Sequence, residues 1–385
     1  MLASDFHDPS TGELVATLEG HLAFVPAALP PQLLYDADLV LLLSRADAAL
    51  SELAGLGRYL PNPHLLIVLY TWREAVLSSR IEGTRASLSD VLRDEVEDTT
   101  NRQEDADVRE VRNYVDALEY GIQRLAVLPL SLRLVREMHA VLMSGVRGEG
   151  KRPGEFRREQ NWIGAAGSSP ATADYVPPPP DRMMQALDQW ERFINQRDVL
   201  PDLIQCALMH EQFEAIHPFL DGNGRLGRLL ITLFLLERKR LPQPLLYLSA
   251  YIEKHRQDYY DLLQRVRTDG AWIPWLRFFL TGVTETAQAG VRQASQLMEL
   301  REIYRKQLHH KPKAQQLIDD LFVNPYVTVK RAAAFLSSSL PTAREAILTL
   351  QEQNIVQEVT GKAWGRVYLA TPILQIISAN DDAGF

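Results

Sequence analysis

The stretch His217-Pro-Phe-Leu-Asp-Gly-Asn-Gly-Arg-Leu-Gly-Arg228 decides how this chain is read. Its parts suit a nucleotide polyphosphate. Gly222 and Gly224 permit backbone conformations that point successive N–H groups into one concavity, an anion nest. The nest opens into a helix whose N-terminus carries partial positive charge. Arg225 and Arg228 stand three apart on that helix and share a face, so two guanidinium forks can grip phosphates there. Asp221 is a hard oxygen ligand, close enough to share Mg²⁺ with the phosphates. Asn223 can donate to a phosphate oxygen. His217, at the entrance, is the residue type whose ordinary pKa suits a general base. The sequence has no GxxxxGK(S/T) pattern, so it is not a P-loop protein.

Outward from this loop, the spacing of apolar residues is helical over most of the chain. Leu39, Leu42, Leu43, Ala46 and Leu50 recur at three and four. Helices are expected over about 33–53, from Asn62 to Glu82, over 108–124, from Ser131 to 144, and over 181–197, 202–216, 225–239 and 251–266. A further one over 273–308 reads as broken. Residues 1–30 read as irregular, and 94–107 as an acidic, solvated loop. Residues 148–182 are rich in Gly and Pro, with β-prone pieces at Asn161–Ile163 and Tyr175–Val176, which predicts a hairpin on a helical body. After His309 come short helices, then alternating runs at Ile355–Val359 and Arg366–Leu369, the order of a winged helix. The fold class is mainly α, in three parts: 1–107, 108–300 and 301–385.

Composition bounds the function. The chain has 385 residues, 46% hydrophobic and 23% charged, with a net charge of −8. That is a folded chain of two or three domains, not a disordered one. Cys206 is the only cysteine, so an intrachain disulfide and an all-cysteine metal site are excluded. The first residues carry early acids and no apolar core, and the longest apolar run, Leu229 to Leu236, is too short for a bilayer. A cytoplasmic protein without membrane contact is expected. Residues 301–385 hold 10 basic and 8 acidic side chains, against 31 and 41 in the rest, so the C-terminal piece differs electrostatically.

At the 217–228 string the sequence resembles the Fic family, whose motif HxFx(D/E)GNGRxxR it matches without substitution. The resemblance implies a helical bundle that transfers AMP from ATP to a Ser, Thr or Tyr hydroxyl of a target protein. It implies that His217 takes the hydroxyl proton and Asp221 holds Mg²⁺. Asn223 and the loop amides of Gly222 and Gly224 would hold the α-phosphate region, with Arg225 and Arg228 on the outer phosphates. Phe219 would anchor the loop. Gly224 before Arg225 favours AMP transfer over the phosphorylating variant of the family. The resemblance also implies a flap that aligns the target as an added strand, here with Trp162, Ile163, Tyr175 and Val176. It places Tyr260, and secondarily His255, at the adenosine pocket. Self-modification is part of the expectation. Family members often dimerise, but no stretch reads as an interface.

Ser78-Ser-Arg-Ile-Glu-Gly83 is similar to the family's inhibitory motif (S/T)xxxE(G/N). Ser78 and Glu82 lie four apart, on one helix face, and Gly83 is a capping glycine. A carboxylate at a helix C-terminus opposes the helix dipole. The resemblance pairs Glu82 with Arg228, which would block the γ-phosphate site. Two other readings stand beside this one. In the first, a transcription regulator uses its Fic core as a nucleotide sensor. In the second, the enzyme removes AMP or uses another nucleotide. The helix at Pro341–Gln353 carries Arg344 against Glu345 and Glu352, and the wing adds Lys362 and Arg366. Few phosphate-directed cations favour protein contact over DNA.

Overall fold

The computed structural model describes residues 1–59, 64–97, 105–146, 149–165 and 167–379. The expected helix start at Asn62 and half of the acidic loop lie outside them. The chain begins not with irregular structure but with an antiparallel hairpin, β1 (Gly12–Ala16) and β2 (Leu22–Pro26), with Leu14 opposite Phe24. Long-range contacts make these strands: the Phe24 N–H donates to the Val176 carbonyl, and Ala23 packs with Ala173 and Val176.

α1 (Ala37–Tyr59) starts where Asp36 accepts from the Leu39 N–H. α2 (His64–Ile81) ends in a Schellman motif. There the Gly83 N–H donates to the Arg80 carbonyl, the Thr84 N–H donates to the Ser79 carbonyl, and Gly83 has φ +97°. α3 (Leu88–Asp94) follows, opened by a Ser87–Asp90 capping box. α4 (Ala106–Leu125) and α5 (Leu132–Leu142) pack together, and Ser131 caps α5 as expected. α6 (Pro180–Asn195) has proline in its first turn. α7 (Asp202–Ile216) and α8 (Asn223–Glu237) form the centre, and every residue of α7 from Leu203 to Ile216 is buried.

α9 (Ser249–Lys254) and α10 (Arg256–Asp269) are two helices where one was expected. α11 (Trp272–Gln307) is one unbroken helix of 36 residues. It lies along α1, and Gly290 leaves room for Leu53. The boundary expected at residue 300 therefore falls inside a helix, because the apolar face of α11 continues past it through Tyr304.

The C-terminal unit comprises α12 (Pro312–Leu321), β3 (Tyr326–Thr328), α13 (Val329–Phe335), α14 (Leu340–Glu352), β4 (Gln357–Glu358), β5 (Val367–Leu369) and α15 (Thr371–Ser378). Its three strands are antiparallel in the order β3-β5-β4. It is not a free appendage. Asn324 donates to the Leu92 carbonyl and to Glu95, Tyr326 and Ser89 share a 2.6 Å hydrogen bond, and α15 packs on α2 and α11.

Candidate active site

The loop 217–222 joins the two central helices. His217 ends α7 in the left-handed conformation, φ +49°. Gly222 starts α8 with φ +74°, and a Cβ there would lie 2.7 Å from the Met143 sulfur. No side chain caps this N-terminus and no acid occupies its first turn, so its leading N–H groups face outward as an anion site. Phe219 is fully buried and stacks on His139 at 3.7 Å and 7°, the anchoring role expected of it. His139 accepts from the Gly154 N–H at Nδ1, which leaves its Nε2–H to donate to the Asp221 carbonyl. Burial pulls its pKa down to about 4, so the ring is neutral.

Asn223 does more than was expected of it. Its Oδ1 accepts from the Phe219 N–H at 2.9 Å and its Nδ2 donates to the Phe219 carbonyl at 2.8 Å. Both ends of the buried amide brace the loop, and one of its two Nδ2 hydrogens is spent there. Asp221 is half-buried, accepts the Gly222 N–H, and pairs with Lys151 at 3.0 Å. Burial raises its pKa, but Lys151 and the Gly222 amide outweigh that and hold it below the usual range. One partly exposed carboxylate, were Lys151 to release it, fits a magnesium ion shared with phosphates. It does not fit an all-protein cage, and the described residues contain no cluster of three metal-binding side chains.

The two arginines differ. Arg225 is buried, with Nη1 3.6 Å from Glu110, and its Nε and Nη1 have no hydrogen-bond acceptor among the described residues. Arg228 is engaged: Nε donates to the Ser78 hydroxyl (2.8 Å), and Nη2 donates to the Ser78 carbonyl (2.9 Å) and to Glu82 (2.8 Å). Burial works against its charge, but Glu82 more than offsets this and raises its pKa above the ordinary value. The Glu82 carboxylate lies over Gly224, where a Cβ would sit 2.2 Å from its oxygen. The inhibitory-motif residues and the loop thus meet as expected. Two further carboxylates on α2 and α7, neither foreseen, stand near Arg228. Glu74 accepts from Ser249 and Tyr114, and Glu214 is buried with its Oε1 unpartnered.

His217 is pulled down to about 3, first by burial and then by Arg157 and Arg267. It is therefore neutral near pH 7, the state a proton acceptor needs. Tyr260 is partly exposed. Burial raises its pKa first, with the Glu82 charge next, which sets the ring beside the site. His255 is directed elsewhere: its ring packs against Tyr251 at 4.5 Å and Phe278, where those aromatic faces shelter it.

The flap is smaller than a two-stranded hairpin. One antiparallel bridge, Ile163 with Tyr175, closes it. Trp162 is partly exposed and donates to the Ser168 carbonyl. Tyr175 and Val176, expected to dock a target, are buried. The Tyr175 hydroxyl donates to the Ala215 carbonyl, and β2 already occupies the Val176 carbonyl. They anchor the flap instead, and Ile163 spends its backbone N–H and carbonyl on Tyr175, so Trp162 is the expected flap residue left exposed.

Comparison with known proteins follows from this geometry. Residues 40–123 match the Fic/DOC family N-terminal region and residues 129–235 match the Fic/DOC family itself. A protein adenylyltransferase Fic from Aedes aegypti is 32% identical over 153 residues, which are 39% of this chain and 27% of that protein. Its namesake from Culex quinquefasciatus is 34% identical over 128 residues, 32% and 22% of the two chains. The chain thus spans about a quarter of the length of these relatives. The crystal structure of a Fic family protein from Desulfovibrio desulfuricans G20 superposes with a TM-score of 0.58 at 20% identity, covering 89% of this chain and 98% of that one, which establishes the fold.

Proposed function

The chain belongs to the Fic/DOC family, and on that premise we propose that it is a protein adenylyltransferase held in check by its own Glu82. One observation carries this reading: of two buried arginines beside an uncapped helix N-terminus, Arg225 has unmet donors and Arg228 is held by an internal carboxylate. A polyphosphate supplies what Arg225 lacks, and its outermost phosphate competes with Glu82 for Arg228.

In the reaction, a target hydroxyl attacks the α-phosphorus of ATP. The new P–O bond forms as the bond to the β-phosphate breaks, and pyrophosphate leaves. Neutral His217 receives the hydroxyl proton. The α8 amides stabilise charge developing on the α-phosphate oxygens, and Arg225 holds the leaving pyrophosphate. Asp221 would hold a magnesium ion, which when bound neutralises phosphate charge. Lys151 occupies that carboxylate otherwise. Tyr260 borders the nucleoside side. The flap edge at Trp162 receives the target backbone, beside the Ile163–Tyr175 bridge.

We read the C-terminal unit as a winged helix that contacts protein rather than DNA. No helix among the described residues is long and apolar enough to cross a membrane, in keeping with a cytoplasmic enzyme.

The test uses ATP labelled at the α- or the γ-phosphate, with the chain itself as first acceptor and then a lysate. The Glu82→Gly chain is expected to transfer the α-label only, and His217→Ala neither. Transfer of the γ-label, or of none by Glu82→Gly, overturns the proposal.

A further inference from the structure

Five consecutive carbonyls around the catalytic turn, residues 215 to 219, are all received by donors from the flap segment. The Ala215 carbonyl accepts from the Tyr175 hydroxyl at 2.6 Å. The Ile216 and His217 carbonyls accept from Arg157 Nη2 (3.4 Å) and Nε (3.0 Å). The Pro218 carbonyl accepts from the Arg157 backbone N–H at 3.0 Å. The Phe219 carbonyl accepts from Asn161 Nδ2 at 2.9 Å, which also reaches the His217 carbonyl at 3.3 Å. The same Arg157 guanidinium donates to the Pro178 and Glu159 carbonyls, one on each side of the flap base. Arg157 is 2% exposed and forms no ion pair among the described residues. A buried arginine compensated only by carbonyl oxygens is an unusual arrangement, because burying a charge without an opposite one is costly.

From this geometry we infer that Arg157 is a positioning residue for His217: it moulds the turn that carries the base and ties it to the flap that receives the target. The inference rests on the adenylyltransferase reading. His217 sits at φ +49°, a conformation L side chains rarely adopt, and the surrounding structure has to impose it. Arg157 does so from the flap, by donating to the carbonyls at and just past the last turn of α7, which have no intrahelical donor. Its planar fork is needed because its donors reach carbonyls on three separate segments, the flap entry, the flap exit and the catalytic turn. Lysine offers one point of charge and cannot span them. Arg157 touches neither nucleotide groups nor the arginine pair. Its loss therefore acts on the base and leaves phosphate binding in place. The proximity of its charge to His217 adds a second effect, since a cation beside the ring disfavours the protonated imidazolium.

The experiment compares Arg157→Lys and Arg157→Met with the parent, all in the full-length Glu82→Gly chain. For Arg157→Met, kcat for transfer is expected to fall about a hundredfold, the usual effect of an ångström-scale misplacement, with KM for ATP within twofold. Arg157→Lys is expected to recover only part of kcat. NMR titration of ¹³C-labelled histidine is expected to place the His217 pKa higher in Arg157→Met. Amide exchange of 159–165 and 216–219 is expected to quicken together, while α8 stays protected. Unchanged kcat, a KM rise in step with the kcat loss, or unchanged exchange in both segments overturns the inference. If the Glu82→Gly parent transfers nothing, the function reading fails, and the exchange and NMR arms still decide the role of Arg157.

Discussion

Replacing Glu82 by glycine removes one defined contact, and its effect is calculable. The Glu82–Arg228 hydrogen bond is 2.8 Å long, with side-chain exposures of 35% and 1%. A charge-assisted bond of this kind contributes about 1.5–3 kcal/mol. Glu82 is more than a third exposed, so solvent screening lowers that to about 1–2 kcal/mol. At roughly 1.4 kcal/mol per decade, the fraction of chains with a free γ-phosphate site rises about 5- to 30-fold. Apparent affinity for a non-hydrolysable ATP analogue rises by the same factor, while AMP, too short to reach Arg228, binds as before. Calorimetry with both ligands measures this, alongside transfer rates. Folding stability falls by less than the bond alone implies. Glu82 caps the C-terminal end of α2, where its charge opposes the dipole by about 0.3–1 kcal/mol. Equal affinities of the two chains for the ATP analogue, or an equal gain for AMP, would refute the reasoning.

Other expectations follow from the same geometry. Burial raises the Glu214 carboxyl to about 7, so between about pH 4.5 and 7 the unfolded chain has lost a proton that the folded one keeps. Its contribution to stability therefore declines as pH rises through that window. Melting curves of Glu214→Gln should lack that part of the decline, and parallel curves for the two chains would sink the assignment. Lys151→Ala frees Asp221, so Mn²⁺ binding to the ADP complex, read by EPR, tightens by up to about fivefold, the scale of an exposed ion pair. No tightening would mean that Lys151 does not compete for the carboxylate. Gly224→Ala puts a methyl against the Glu82 carboxylate. Its cost in chemical denaturation should shrink by about 1 kcal/mol when Glu82→Gly is also present, whereas strictly additive costs would exclude the contact.

The loop was legible because its chemistry is local. Gly222 and Gly224 are read from backbone permissiveness, and the Ser78–Glu82 spacing from helix periodicity. What the sequence hid was partnership at a distance. Asn223 reads as a phosphate donor, and nothing in its spacing announces that Phe219 takes its oxygen and one of its amide hydrogens. Tyr175 and Val176 look like flap surface until Ala215 and β2 claim them. β1 and β2 are short and have weak alternation, and Val176 supplies the pairing that makes them a sheet. Arg157 and Lys151 sit in a run of charges that gives no sign of which are buried. His255 packs on Tyr251 and Phe278, and helix spacing does not say which aromatic neighbours a ring will choose.

The pairing of α1 with α11 has a consequence for synthesis. The apolar face of α1, with Leu39, Ala46, Leu50 and Leu53, waits for a helix that begins about 210 residues later. At about 5–20 residues per second, that stripe stands uncovered on the ribosome for about 10–40 s. The first helix of the chain is thus among the last to find its permanent partner. During that interval the nascent protein presents a greasy surface of the kind holding chaperones grasp.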